Sequence, residues 1–280
     1  MALLVTEVVV LHAMDYLESS RILRVATRDA GVQSVLAKGA RRPKSRFGAA
    51  LDLFAQGTAQ ILVKPGRDLQ TLAGFDVARS RSALAEELGR FMGASAIAEL
   101  MLRFGHEDTH PELFDSLVAA LDDLAAAPAT QSREVAIAAA WRLIGVMGFA
   151  PSLGVCSICH GAVARQEVVR FHHRAGGVLC SRCAATHPGG RPIPLAALDA
   201  LRAWLDGAGP SSLPRRDARA HQRLLREFLR EHLGDGRPLR AFEAWERGIE
   251  RTSDERAEDE RVAEPAEARL AADADLHRAR

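Results

Sequence analysis

The sequence predicts an α+β, multidomain chain: a small five-stranded β-barrel at the N-terminus, then an α-helical domain into which a cysteine-bearing ribbon is inserted. Three observations carry this reading. Short β-rich runs split by turn signals fill residues 1–80, helical periodicity takes over near Ser82, and all four cysteines fall into two C-x2-C pairs separated by twenty residues. At 280 residues, 48% of them hydrophobic, the chain has room for about two domains of roughly 100 to 200 residues, each with its own core.

The strands come first. Five runs, LLVTEVVVL, RILRVATR, VQSVLAK, TAQILVK and LQTLAGFDV, are broken at Asp29-Ala30-Gly31, across Lys38 to Gly48, and at Pro65-Gly66-Arg67-Asp68. Five short strands with no long helix between most of them favour a closed or nearly closed barrel. The five-stranded oligonucleotide-binding (OB) barrel fits that count, and a generic β-barrel is the other reading. The start, ALLVTEVVVLH, carries Glu7 and has no basic segment before it, so it reads as a strand rather than a signal peptide. No apolar run approaches the roughly 20 residues of a membrane span, and a cytoplasmic protein without a membrane partner is expected.

Helices follow over 81–248. ALAEELGRFMGASAIAELMLRFG places Leu84, Leu88, Phe91, Met92, Ile97, Leu100, Met101 and Phe104 at helical spacing, and PELFDSLVAALDDLAAA and SREVAIAAAWRLIGVMGF continue the habit. Such stripes are packing surface rather than a cofactor box. Pro128 and Thr130 separate the second helix from the third, and Gly148 followed by Pro151 ends the third. After Pro194 come LAALDALRAWL, a GAGPSSLP break, DARAHQRLLREFLREHLG and a short LRAFEAW segment. Residues 249–280 have few aliphatic side chains, no aromatics and many alternating charges, the composition of a disordered tail or a frayed polar helix.

CSIC and CSRC contain Cys156, Cys159, Cys180 and Cys183, with the ribbon expected at about 154–186. In a reducing compartment two such knuckles argue for one zinc ion, since they bring four thiolates into a tetrahedron with bonds of about 2.3 Å. Four protein ligands close the site, so its role is structural: it pins VVRFHHRAGGVL onto the helices. A pair of redox-sensitive dithiols is the other reading. His160, His172 and His173 are expected outside the sulfur tetrahedron. HEDTH, His106 to His110, formally matches the H-E-x-x-H of zinc proteases, but Gly105 before it and Pro111 after it mark a turn between helices, with Thr109 as the expected N-cap.

The net charge of +1 hides an asymmetry. All three lysines (Lys38, Lys44, Lys64) lie in the first quarter, whereas the end of the chain is rich in Glu and Asp. KGARRPKSR concentrates Lys38, Arg41, Arg42, Lys44 and Arg46 without one acidic residue. So much like charge on a loop between strands suits sequence-independent contact with phosphates. It is no P-loop: GARRPKS lacks the second glycine and has Pro43 before the lysine. Arg21, Arg24 and Arg28, alternating with apolar residues, either face solvent or extend the same surface. No nucleophile elbow or dinucleotide fingerprint occurs, so an enzyme is not expected.

In their order and spacing, several stretches resemble the bacterial RecO recombination-mediator family over residues from about 4 to 205. They are the opening strand with DYLESSRIL, TRDAGVQSVLAKGARRPKSRFGAALDLF, the PGRDLQTL hairpin, AELMLRFGHEDTHPELFDSLVAALDDL, and WRLIGVMGFAPSLGVCSICHG with FHHRAGGVLCSRC. The resemblance implies an N-terminal OB barrel and a helical domain with an inserted zinc ribbon. It also implies binding of single- and double-stranded DNA, annealing of complementary strands, and action with RecR, and often RecF, in loading RecA onto DNA coated by single-strand-binding protein, whose acidic C-terminal tail docks on the helical domain. The DNA-contacting positions it implies are Lys38, Arg41, Arg42, Lys44 and Arg46; for zinc, the four cysteines match. A nucleoid-associated cytoplasmic location follows. The extension after about Trp245 has no counterpart in this resemblance. A zinc-ribbon adaptor that binds protein partners instead of DNA is the rival from another class.

Overall fold

The computed structural model describes residues 2–47, 51–105, 109–164, 168–209, 213–234 and 237–248. The expected tail at 249–280, and His106, Glu107 and Asp108 of HEDTH, lie outside them. Five strands come first: β1 (Ala2–Tyr16), β2 (Ser20–Thr27), β3 (Val32–Ala37), β4 (Gln56–Val63) and β5 (Leu69–Arg79). They pair in the order β1-β2-β3-β5-β4, β4 returns to β1, and β3 meets β5 in parallel, so every strand has two neighbours and the barrel closes. The OB expectation therefore holds.

β1 shows why VVVL does not alternate. Val8 and Val10 point into the barrel core, while Val9 and Leu11 join the core of the helical domain. Both faces are buried there, and a bulge at Leu11, between Val10 and His12, shifts the register to β2. The strand then runs on to Tyr16, further than the apolar run indicates.

The helical domain holds α1 (Leu88–Phe104), α2 (Pro111–Ala126) and α3 (Ser132–Ile144). α1 begins later than the periodicity implies because the Glu87 carboxylate accepts the N–H groups of Gly89 and Arg90, fixing the cap there. Thr109 is not the cap of α2. His110 takes that place, its Nδ1 accepting the Leu113 N–H at 3.2 Å, with Pro111 at the first helical position; the Thr109 hydroxyl instead donates to the Asp29 carbonyl at 2.7 Å. α3 is the central helix, with all of its residues except Arg142 buried. A wider turn over Gly145–Phe149 ends it, Gly148 adopting φ +90.

The inserted ribbon comprises β6 (Val168–His172), β7 (Gly177–Leu179), the short α4 (Ser181–Thr186) and β8 (Arg191–Pro194), in sheet order β7-β6-β8. It sits on the helices through its apolar face: Val169, Phe171, Val178 and Ile193 join the helical core, and Phe171 lies 6.2 Å from Phe228, which lies 5.3 Å from Trp141. α5 (Leu195–Leu205), α6 (Arg215–His232) and a last helix, α7 (residues 240–248), complete the layer, and Phe242 and Trp245 of α7 are buried in it.

Candidate nucleic-acid interface and metal centre

The basic loop leaves β3 at Ala37 and turns at once. Gly39 (φ +71) allows that turn, the Arg42 N–H reaches the Gly39 carbonyl at 3.1 Å, and the Ser45 N–H reaches the Arg42 carbonyl at 2.9 Å. Phe47 and Leu51 then drop into the barrel core, 3% and 2% exposed. The loop is thus held by apolar plugs at its end while Lys38, Arg41, Arg42, Lys44 and Arg46 keep access to solvent. Among the described residues, its one ion pair is Arg41 with Asp15 at 3.4 Å; Arg46 lies over its neighbour Phe47 at 4.9 Å. Four of the five cations therefore have no acidic partner among those residues.

The three arginines of β2 and its end part company. Arg21 shares Asp15 with Arg41, at 3.2 Å, and so borders the loop. Arg28 serves the domain contact instead, meeting Asp115 at 2.7 Å and Glu7 at 3.0 Å over the Phe114 ring at 4.7 Å. Asp115 first and then Glu7 hold its guanidinium charged against burial, and Arg28 holds the Asp115 carboxyl below its ordinary range. Arg24 is half-buried. Beside the loop stands a feature that no motif in the sequence announces: the exposed Met14, Tyr16 and Leu17 at the β1–β2 turn.

Among the described residues, Cys156, Cys159, Cys180 and Cys183 form a group that could hold a metal ion, their sulfurs all within 4.8 Å of one another. The Cys159 and Cys180 sulfurs are 3.7 Å apart. A tetrahedral four-thiolate zinc with bonds of about 2.3 Å has sulfur–sulfur edges of about 3.8 Å, so the donor set fits that ion in number, chemistry and size. Two tight turns produce it: the His160 N–H returns to the Cys156 carbonyl in the first knuckle and the Ala184 N–H to the Cys180 carbonyl in the second, both at 2.9 Å. Burial opposes a thiolate at Cys156, but backbone donors from Cys159, Cys180 and Ile158 outweigh it and bring the thiol down to about 6. Burial and the neighbouring sulfurs push Cys183 up to about 12, as expected when like groups crowd one site. The histidines stay outside. His160 is exposed, His172 bonds the Pro188 carbonyl and the Ala175 N–H, and His173 faces Glu227 at 3.5 Å.

Models of the two halves of one family match the chain: "Recombination protein O N terminal" over residues 1–81 and "Recombination protein O C terminal" over residues 85–241. Among similar proteins is the DNA repair protein RecO of Anaeromyxobacter sp. (strain K), 38% identical over 245 residues, 84% of this chain and 93% of the relative. The proteins of the same name from Symbiobacterium thermophilum and Myxococcus xanthus are 32% and 31% identical, over 74% and 81% of this chain and 81% and 91% of their own lengths. The C-terminal match runs to residue 241, past about residue 205 where the resemblance in the sequence ended, and so takes in α6 and the start of α7. With a closed five-stranded barrel, a helical domain and a four-cysteine ribbon following one another along the two matched halves, this chain belongs to the RecO family of DNA repair proteins.

Proposed function

We propose that this chain is a recombination mediator that binds single- and double-stranded DNA through the loop Lys38–Arg46, anneals complementary strands, and with RecR, and with RecF where it is required, helps load RecA onto DNA coated by single-strand-binding protein. The observation that carries the DNA part is the exposed loop itself: five cations, one acidic neighbour, and an end plugged into the barrel by Phe47. The partners rest on family membership. Phosphate contacts release counterions and leave bases free to pair, and cations between two bound strands weaken their mutual repulsion, so annealing needs no bond-making. One zinc ion at the four cysteines, closed to substrate, would hold the ribbon on the helices. The cytoplasm, at the nucleoid, is the compartment this reading requires. Among the described residues no helix is long and apolar enough to cross a membrane.

The test is a salt titration of binding to a fluorescent single-stranded oligonucleotide, native chain against a variant with Lys38, Arg41, Arg42, Lys44 and Arg46 all changed to Ala. The native log K falls with log salt, and the variant's slope is shallower by up to about 0.7 for each phosphate it no longer neutralises. Equal slopes would refute the loop assignment.

A further inference from the structure

β1 and β2 are joined by a three-residue turn, Leu17 to Ser19, between the paired residues Tyr16 and Ser20. The tip is unfavourable in two respects. Leu17 adopts φ +52, a left-handed conformation that turns ordinarily assign to Gly, Asn or Asp, and its side chain is 76% exposed. Met14 and Tyr16 are exposed as well, and alternation along β1 sets them together on the outer face of the hairpin. Asp15 points the other way, to Arg21 and Arg41. A turn that only reverses the chain gains nothing from a strained, solvated leucine beside an exposed tyrosine. Strain and exposed apolar surface together point to a ligand.

The tip is fastened to the basic loop. The Arg41 N–H donates to the Ser19 carbonyl at 2.9 Å, the Gly39 N–H to the Ser20 hydroxyl at 3.3 Å, and Arg41 pairs with Asp15. Basic loop and apolar tip are therefore held rigidly together, with Arg41 against the Asp15 face of the hairpin and Tyr16 on the other, so a strand crossing the tip meets both. A strand held by its phosphates presents bases on its other side, and every unpaired base has a π-face that stacks on an aromatic ring. We propose that Tyr16, flanked by Met14 and Leu17, is a base-stacking platform for the single strand whose phosphates Lys38–Arg46 hold. Bases in a duplex are already stacked, so the platform favours an unpaired strand, a preference that backbone cations do not supply. The platform rests on the loop reading above, and nucleic acid is its occupant because the cations are bonded directly to the tip.

The experiment uses the full chain and oligonucleotides carrying 2-aminopurine, an adenine analogue whose fluorescence is quenched by stacking. The native chain and Tyr16→Trp quench it; Tyr16→Ala does not, and binds a single strand about 5- to 150-fold more weakly, the range for base–aromatic stacking. Its salt slope and its duplex affinity stay native, because no phosphate contact is removed. Leu17→Asn relieves the backbone strain, so the melting temperature holds or rises while single-strand affinity falls. If Tyr16→Ala and Leu17→Asn bind and quench like the native chain while the five-alanine loop variant has the shallower slope, the loop reading stands and the platform is overturned in favour of a protein partner at the tip. If the loop variant keeps its slope but Tyr16→Ala still loses quenching and affinity, the platform holds and the loop reading alone fails.

Discussion

Arg81 lies between barrel and helices with its side chain 2% exposed, and each of its nitrogens finds an acceptor. Nε reaches Asp122 at 2.7 Å, Nη1 the Phe54 carbonyl at 2.8 Å and Nη2 the Gln56 amide oxygen at 2.6 Å. Arg79 also pairs with Asp122. Replacing Arg81 by Met leaves buried acceptors unpaired, and unfolding in urea should show a loss of about 2 to 4 kcal/mol. A second buried group sets an acid limit. His221 lies against the Trp204 ring at 4.7 Å, and neither of its ring nitrogens has a hydrogen-bond partner in the described structure. Burial brings its pKa from 6.5 down to about 4, against the opposing pull of Asp217. The folded value lies below the unfolded one, so acid favours the unfolded chain: stability is intact near pH 7 and falls as pH drops from about 6.5 toward 4. At about 1.4 kcal/mol per pH unit the loss reaches roughly 3 kcal/mol. Urea midpoints at pH 7 and pH 4.5 measure it, and His221→Leu should flatten the difference. None of these roles shows in the sequence, where Arg81 and His221 look like two more polar residues in charged stretches; Arg81 is buried by the meeting of barrel and helices, and His221 by the packing of α6 against α5.

At the scale of elements, legibility follows the strength of local periodicity. α3 was readable because SREVAIAAAWRLI is apolar on almost every side, the mark of a helix surrounded by others. The starts of α1 and α2 were less so, since several cap-forming residues compete within a few positions and geometry selects Glu87 and His110. The ribbon is a clearer case of local information: two C-x2-C turns suffice to place the sulfurs, while Phe171 and Ile193 decide where the unit docks. Removing metal should therefore act locally. Chelation, or Cys156→Ser, should lower the melting temperature and raise hydrogen exchange over 154–186, with salt-dependent oligonucleotide binding by the barrel unchanged. Lost DNA binding would instead join the ribbon to the interface.

For the whole molecule, the barrel does not hang free from the helices. Val9, Leu11, Ala26 and Phe54 enter the helical core, and Arg28 and Arg81 bond across the contact. The basic loop is consequently presented by a rigid body, at a fixed angle to the helical domain. Charge is divided along the chain as well, with the lysines near the start and Glu and Asp concentrated after residue 249. Opposite charges on one chain imply weak competition, so deleting residues 249–280 should raise DNA affinity at low salt and change little at high salt, where screening removes the attraction. Unchanged low-salt affinity would refute that competition.

The sequence by itself determined the five strands, the helical core, the cysteine tetrahedron and the basic loop, because each is written in residues close together in the chain: alternation, helical period, C-x2-C spacing, uncompensated charge. Tertiary structure alone decided that Arg28 braces the domains, that Phe47 anchors the loop, and that the turn after Tyr16 is fastened to it. Those outcomes depend on strand register and on the closing of a barrel, which bring together residues twenty or more positions apart, and no local pattern in the chain records such meetings.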